Sequence, residues 1–194
     1  MGRPARPTTL TLPKLTRQAF VRYWIPVIGW LIVIAIESTL LSAARTGSFI
    51  DPILHAIMPW FSMDTIEHIH EVGRKVGHFI GFGLMGYFFF RAFRGTHHIY
   101  QGTEEILRRK IVPAGKQLFT ELWQWSWAAW AIVGSSIVAT ADEVHQMSDQ
   151  SRTGSARDIL LDTVGALFVQ LLILAVIRIR IRNKSHIPQP ARVS

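Results

Sequence analysis

Four long apolar segments constrain this 194-residue chain more than any other feature of its sequence. They are Tyr23 to Ala44, Val76 to Phe93, Leu122 to Ala141 and Ile159 to Ile177. Each is about 18–22 residues long, and about 20 apolar residues are enough for a helix to span a bilayer. The pattern predicts an all-α, polytopic membrane protein that folds as a bundle of four transmembrane helices.

The first apolar segment has a second interpretation, because Ser42-Ala43-Ala44 is similar to the cleavage site of a signal peptide. The segment begins far from the N-terminus, however, and is longer than the apolar core of a typical signal peptide. We therefore expect an uncleaved helix. The predicted organisation is an N-terminal tail at 1–22, a membrane domain at 23–178 and a basic tail at 179–194.

Local signals divide the chain between these segments. Gly47 and Pro52 predict a broken first loop, in which Ile53 to Trp60 lies on the membrane surface. Asp64 followed by Glu67 predicts a helix that runs unbroken from about Thr65 into the second span. At the other end of the chain, a capping pattern predicts that the last helix starts after Ser155, and we expect it to end before Arg178.

Small and aromatic residues suggest how the helices pack. Gly73, Gly77 and Gly81 recur every four residues, a spacing that lets a second helix approach closely. The third apolar segment opens with four tryptophans whose spacing is not that of one helical stripe. We interpret Trp123, Trp125, Trp127 and Trp130 as an aromatic belt at the membrane interface.

Composition excludes several classes of function. The chain has no cysteine, so disulfides, thiolate catalysis and cysteine-based metal sites are impossible. The formal net charge of +8 could indicate a nucleic-acid partner. Its lysines and arginines instead flank the apolar segments, as in membrane proteins. We expect a lipid bilayer, and no nucleic acid, as the environment of this chain.

The distribution of lysine and arginine predicts the topology. The N-terminal tail, the three loops and the C-terminal tail carry five, three, six, two and five of them in chain order. The positive-inside rule then places both termini and the second loop in the cytoplasm. The chain is expected to be a multi-pass protein of the cell membrane, whose first and third loops face outward.

This topology brings four polar elements to the outer boundary. They are Glu37, Arg74-Lys75-x-x-His78, Asp142-Glu143-x-His145-Gln146 and the segment from Arg152 to Asp162. Charges near apolar helices are costly unless they are paired or hydrated, which makes them candidates for function. We predict one ionic cluster at the outer mouth of the bundle.

Four interpretations of the cluster are open. It can be a structural network in which Lys75 or Arg152 neutralises the carboxylates. It can bind an anion, because arginine matches phosphate and carboxylate groups in a bidentate manner. His78 or His145 with Glu143 can support acid–base catalysis. A divalent metal is the weakest interpretation, since no dense ligand motif occurs, and we predict neither a metal nor a cofactor.

Several of these motifs carry a family resemblance. Arg74-Lys75-x-x-His78-Phe79 resembles the first signature of the VanZ-like membrane protein family. The second signature is similar to Asp142-Glu143-x-x-Gln146, followed by Arg152-Thr153-Gly154-Ser155, Asp158 and Gly165. Glu37-Ser38-Thr39 is similar to the end of that family's first helix. This chain departs from the family at Asp162, where the family usually has asparagine, and the resemblance covers about residues 24–177.

The resemblance implies an integral membrane protein linked, for its namesake, to low-level teicoplanin resistance. Our leading hypothesis is an outward-facing site that binds an anionic lipid or a lipid-linked precursor of the cell envelope. The predicted ligand-binding residues are Lys75, His78, Asp142, Glu143, Gln146, Arg152 and Asp158. Lys75 and Arg152 would bind the anion, the carboxylates would orient them, and His78 with Gln146 would donate or accept hydrogen bonds. The alternatives are a membrane enzyme that uses His78 and Glu143, and a non-catalytic scaffold.

Overall fold

The structure, a computed structural model, describes residues 17, 20–40, 43–101, 119–147 and 155–185. This part of the chain contains helices and no strand, so the predicted all-α fold is confirmed. A π-helical turn, Phe20–Trp24, leads into the first α-helix. The α-helices of these ranges are α1 (Ile25–Leu40), α2 (Ala43–Ile57), α3 (Met63–Gln101), α4 (Trp125–Met147) and α5 (Ala156–Ser185).

Within the described ranges, three helical stretches are long and apolar enough to cross a membrane. They are Val21–Thr39, Met63–His97 and Ala156–Asn183, which correspond to the first, second and fourth predicted spans. The third predicted span forms α4, whose 23 residues measure about 35 Å at 1.5 Å per residue. It is not among the stretches that length and composition identify as candidate spans. A bundle of membrane helices is supported. That the third predicted span, α4, also crosses the membrane stays a prediction.

Helix α2 was not predicted, because Gly47 and Pro52 indicated a broken loop. The segment is helical from Ala43 to Ile57, with Pro52 inside the helix. Proline removes one backbone hydrogen bond from a helix interior, so tertiary contacts must compensate. Helix α2 packs against α3, and the Asp51 carboxylate lies 3.0 Å from Nδ1 of His70 on that helix.

The predicted unbroken helix leading into the second span is confirmed. Helix α3 begins at Met63 and continues through the span to Gln101. Its N-terminal cap is Ser62 rather than Asp64, since the Ser62 hydroxyl accepts a hydrogen bond from the Thr65 backbone N–H at 3.3 Å. The helix therefore starts two residues earlier than expected.

The last helix starts where the sequence predicted and ends later. The Ser155 hydroxyl accepts a hydrogen bond from the backbone N–H of Arg157, in the first turn of α5. The expected end before Arg178 is wrong, because the helix continues to Ser185. Arginine and lysine are good helix formers, and no proline or glycine occurs between Arg178 and Pro188. The basic segment thus extends the last span as helix.

The packing of α3 corrects the prediction about its glycines. In the part of the chain that the structure describes, a Cβ atom at Gly73, Gly77 or Gly81 would meet no atom within 4 Å, so these Cα positions are not a close helix–helix contact. The close contact with α5 lies on another face of α3. It brings Gly83 and Gly86 against Gly165 and Ala166, and a Cβ atom at Gly165 would overlap the Phe79 carbonyl. Helices α3 and α5 therefore form the tightest pair of the bundle.

The tryptophans of the α4 region divide between core and surface. Trp123 and Trp127 are buried, and Phe90 of α3 contacts both rings at centroid distances of 5.1 and 6.2 Å. Trp125 and Trp130 are exposed. The prediction that all four form an interfacial belt is wrong for the buried pair, which packs in the core. The belt interpretation is kept for the two exposed rings.

Candidate functional site

His78 is the residue at which the three candidate spans meet. It lies on α3, and its Nε2 atom is 3.8 Å from a carboxylate oxygen of Glu37 on α1. Its Nδ1 atom is 3.6 Å from a carboxylate oxygen of Asp162 on α5. The ring also stacks on Phe82, one turn further along α3. Packing and charge together fix the imidazole between the two carboxylates.

The two distances define what this arrangement can do. A protonated imidazole carries an N–H donor on each ring nitrogen and can therefore face two acceptors at once. Both N···O distances exceed the usual hydrogen-bond range but lie within ion-pair range, so a protonated His78 would pair with both carboxylates while these keep the capacity to accept hydrogen bonds from another donor. The Asp162 side chain is only 4 % exposed, whereas that of Glu37 is 43 % exposed. The arrangement is therefore buried on the α5 side and open on the α1 side.

Asp142 and Gln146 form the second part of the site. They lie one turn apart on α4, and the Gln146 side-chain amide donates a hydrogen bond to Asp142 Oδ2 at 2.8 Å. Both residues are buried. Asp142 is also close enough to His78 and Asp162 to interact with them electrostatically. The predicted shared face of Asp142 and Gln146 is thus present and points toward the His78 arrangement.

Glu143 hydrogen-bonds the backbone at the start of α5. Its Oε1 atom accepts a hydrogen bond from the backbone N–H of Ser155, although the two residues lie on opposite sides of the α4–α5 connection. The side chain is buried. A carboxylate at a helix N-terminus also interacts favourably with the helix dipole. Glu143 therefore couples the end of α4 to the beginning of α5.

Asp158 lies in the first turn of α5 and is half-buried. It is close enough to Asp162, one turn later, for the two carboxylates to interact. A carboxylate in a first helical turn is favoured by the dipole in the same way as Glu143. Asp158 thus borders the cluster of acidic groups around His78.

Of the two predicted anion-binding residues, Lys75 stands apart from these contacts. Lys75 is exposed, and its Nζ atom lies 2.7 Å from Glu71, one turn earlier on α3. Arg152 falls outside the described residues. Among the residues that the structure describes, the cluster is therefore rich in carboxylates. It contains His78, Asp142, Glu143, Gln146 and Asp158 from the predicted set.

Two residues that matter here were absent from the predicted ligand-binding set. Asp162 was predicted only as the end of one polar element of the cluster and as a departure from the family pattern, and Glu37 as another of these elements. An acid inside an apolar helix needs a partner, and this rule alone would have added Asp162 to the set. Thr39 was also missed, and its hydroxyl lies 3.4 Å from Nε2 of His145. No pattern in the sequence pointed to that contact.

A groove of about 400 Å³ lies beside the cluster, between α1 and α4. Its walls are mostly aliphatic, and one end carries Ser38, Thr39, Asp142 and His145. In the described ranges no three histidine or acidic side chains are placed to hold a metal ion. The polar groups of this region are instead arranged for ion pairing and hydrogen bonding.

The helices and the site together define a class of protein: a helical membrane protein with an acidic polar cluster near one end of its apolar helices. The comparison with protein families is consistent with this class. The family described as VanZ/LLP1 matches residues 20–178, which is most of the chain. The chain belongs to this family. No curated protein and no solved structure matched it.

Proposed function

We propose that this VanZ-like membrane protein holds an outward-facing polar site that binds the headgroup of a cell-envelope lipid or lipid-linked component. The observation that carries the proposal is the position of His78 between Glu37 and Asp162. Residues that serve only to hold helices together can close to direct hydrogen-bond distance. Here both N···O distances are longer than a hydrogen bond, so the two carboxylates keep unused acceptor capacity for a donor group of a polar ligand.

Buried polar atoms without a partner support the same proposal. Among the described residues, Ser38 Oγ and Asp162 Oδ1 are buried and make no hydrogen bond. An unsatisfied buried polar atom costs free energy, and native structures usually satisfy it with protein, water or ligand. Both atoms lie in the part of the bundle that contains the His78 cluster and the groove. A headgroup with several hydrogen-bonding atoms would satisfy them.

The outward orientation rests on the charge distribution of the chain. Lysines and arginines concentrate in the two tails and the second loop, which the positive-inside rule assigns to the cytoplasm. The proposal includes four spans, with α4 as the third, and cytoplasmic termini. Single cysteines at Ser62, Thr103 and Ser148 test this, because the native chain has none. We expect an impermeant thiol reagent to label Ser62 and Ser148 from outside, whereas labelling of Thr103 from outside would overturn the topology.

The acid–base alternative loses support from the position of Glu143. Its carboxylate accepts the Ser155 backbone N–H at the start of α5, whereas the carboxylates that pair with His78 are those of Glu37 and Asp162. A general base needs to reach the proton that it removes. The geometry therefore favours binding over a reaction catalysed by His78 and Glu143. The link to teicoplanin resistance stays a hypothesis from the family resemblance, to be tested by the drug sensitivity of a deletion strain.

Co-purifying lipid provides the direct test. The wild type and the H78Q variant are purified in mild detergent from the same membranes, and bound lipid is quantified per protein by native mass spectrometry. His68→Gln is a matched control, since His68 is an exposed histidine of the same helix. We expect H78Q to retain about tenfold less of a specific lipid than the wild type, as the loss of one charge-assisted contact implies. His68→Gln should retain as much as the wild type.

The same experiment can contradict the proposal. If folded H78Q protein retains the wild-type lipid in the wild-type amount, the His78 cluster is not the binding site. Because H78Q could also lower stability, Glu37→Gln provides a second variant at the exposed side of the cluster. If both variants retain as much lipid as the wild type, the scaffold alternative is the better account.

A further inference from the structure

The groove between α1 and α4 has the shape and chemistry of a site for an amphipathic molecule. Its volume of about 400 Å³ is in the range of small-molecule sites. Leu31, Ile34 and Val138 form part of its aliphatic wall. Polar groups occur only toward the end near the His78 cluster. An occupant with a hydrocarbon chain and a polar end would match this division.

The polar end of the groove offers both donors and acceptors. The Ser38 hydroxyl is buried and has no hydrogen-bond partner among the described residues. The Thr39 hydroxyl donates to the Ala35 carbonyl at 2.7 Å, which leaves its oxygen as an acceptor, and the His145 ring nitrogen 3.4 Å from it can donate or accept. Asp142 uses one carboxylate oxygen for Gln146, which leaves its second oxygen as an acceptor. A ligand group that both donates and accepts hydrogen bonds would satisfy this set.

The charges of the groove favour an uncharged headgroup over a phosphate. No lysine or arginine lines the groove within the described ranges, while Asp142 does. An anionic group there would face a buried carboxylate, which is unfavourable in a low-dielectric setting. A primary ammonium group would suit Asp142 but can only donate, so it would offer no acceptor to the Ser38 O–H. Hydroxyl groups both donate and accept, as this end of the groove requires.

We propose that the α1–α4 groove binds a membrane lipid with an uncharged polyhydroxyl headgroup, its hydrocarbon chain along the aliphatic wall and its hydroxyls at Ser38, Thr39, Asp142 and His145. This inference rests on the proposed function and names the ligand class for it. It differs from the anionic ligand predicted from the sequence, whose binding was assigned to Lys75 and Arg152. The two ligand classes make opposite predictions for a lipid panel.

The test uses wild-type protein, freed of lipid in detergent and then exposed to four lipids with matched chains. They are a monoglycosyl diacylglycerol, diacylglycerol, phosphatidylglycerol and phosphatidylethanolamine, and native mass spectrometry measures the bound fraction. We expect the glycosyl lipid to bind at least about tenfold more tightly than diacylglycerol, as several hydrogen bonds imply. Equal or tighter binding of phosphatidylglycerol would overturn the proposal.

Two neighbouring positions on α1 localise the site. Ala35 lines the groove, and Ile36 is 50 % exposed and does not line it. Ala35→Phe should fill the groove and abolish binding of the glycosyl lipid, whereas Ile36→Phe adds the same ring outside and should leave binding intact. Ser38→Ala should reduce the preference for the glycosyl lipid over diacylglycerol without weakening diacylglycerol binding. Wild-type binding by Ala35→Phe would overturn the assignment to the groove.

The outcomes separate this inference from the proposed function. If H78Q loses a bound phospholipid while Ala35→Phe keeps it, the function stands and the groove inference fails. If Ala35→Phe alone loses the glycosyl lipid and H78Q keeps it, the groove inference stands and His78 has no part in binding.

Discussion

His78 lies between Glu37 and Asp162, with its two ring nitrogens 3.8 and 3.6 Å from their carboxylate oxygens. Each of the three residues belongs to a different candidate membrane span. One side chain thus connects the spans that the sequence places far apart. The stability of the bundle and the chemistry of the site should both depend on it.

Replacing His78 should destabilise the bundle through Asp162. In His78→Ala the almost fully buried Asp162 carboxylate loses its partner, and breaking a buried pair costs about 3–5 kcal/mol. Unfolding by a denaturing detergent in bicelles measures the change. Adding Asp162→Asn to His78→Ala should restore a large part of the loss, since a neutral amide is easier to bury. Unchanged stability of His78→Ala would show that the pair does not hold the spans together.

The α3–α5 contact predicts that replacing two different glycines by alanine has different effects on stability. An alanine at Gly165 would overlap the Phe79 carbonyl and force the helices apart, which should cost about 1–3 kcal/mol. Gly77 has open space, so Gly77→Ala should be neutral or stabilise by up to about 1 kcal/mol through helix propensity. Thermal unfolding monitored by tryptophan fluorescence compares the two. An equal loss of thermal stability in both variants would contradict the close packing of α3 and α5 at Gly165.

Glu143 should control the order of the first turn of α5. Its loss removes the acceptor for the Ser155 N–H, and losing a helix cap typically costs about 0.5–2 kcal/mol. Hydrogen exchange should therefore accelerate at the amides of residues 155–158 in Glu143→Ala. Amides near Leu174 serve as the internal reference, and Glu143→Gln, which keeps an acceptor oxygen, should show a smaller change. If the amides of residues 155–158 exchange at the same rate in the wild type and both variants, Glu143 does not stabilise the first turn of α5.

Lys75 should contribute little to stability. Its pair with Glu71 is exposed, and water and salt screen such pairs so strongly that they add little to stability. Lys75→Ala and Glu71→Ala should each have nearly the same stability to unfolding as the wild type. The role predicted for Lys75 in anion binding has a separate readout, namely retention of a phosphate-bearing lipid. Unchanged retention in Lys75→Ala would exclude that role.

The sequence predicted the features that depend on composition and local signals. Apolar length identified the candidate spans, and capping residues located the starts of α3 and α5 within two residues. Helix α2 was not predicted because Pro52 is a local helix breaker. Contacts with α3, such as that between Asp51 and His70, stabilise the helix despite the proline. Tertiary packing outweighed the local signal there.

The pairing of residues in the site was harder to predict. Lys75 has acids available both on its own helix and in the predicted cluster, and the partner one turn away, Glu71, is the one it contacts. Similarly, α3 carries glycines on two faces, and helix spacing alone does not say which face meets α5. His78 was identified from its motif, but its contact with Asp162 depends on how deeply α3 and α5 pack.

Reaction of a Thr39→Cys variant with an impermeant thiol reagent tests the central proposal most directly. Thr39 is exposed at the polar end of the groove, and the chain has no other cysteine. We predict reaction in intact cells without permeabilisation. In purified, delipidated protein the reaction should slow when a lipid extract of the source membranes is added. Reaction only after permeabilisation, or a rate unaffected by lipid, would contradict an outward-facing site that binds a lipid headgroup.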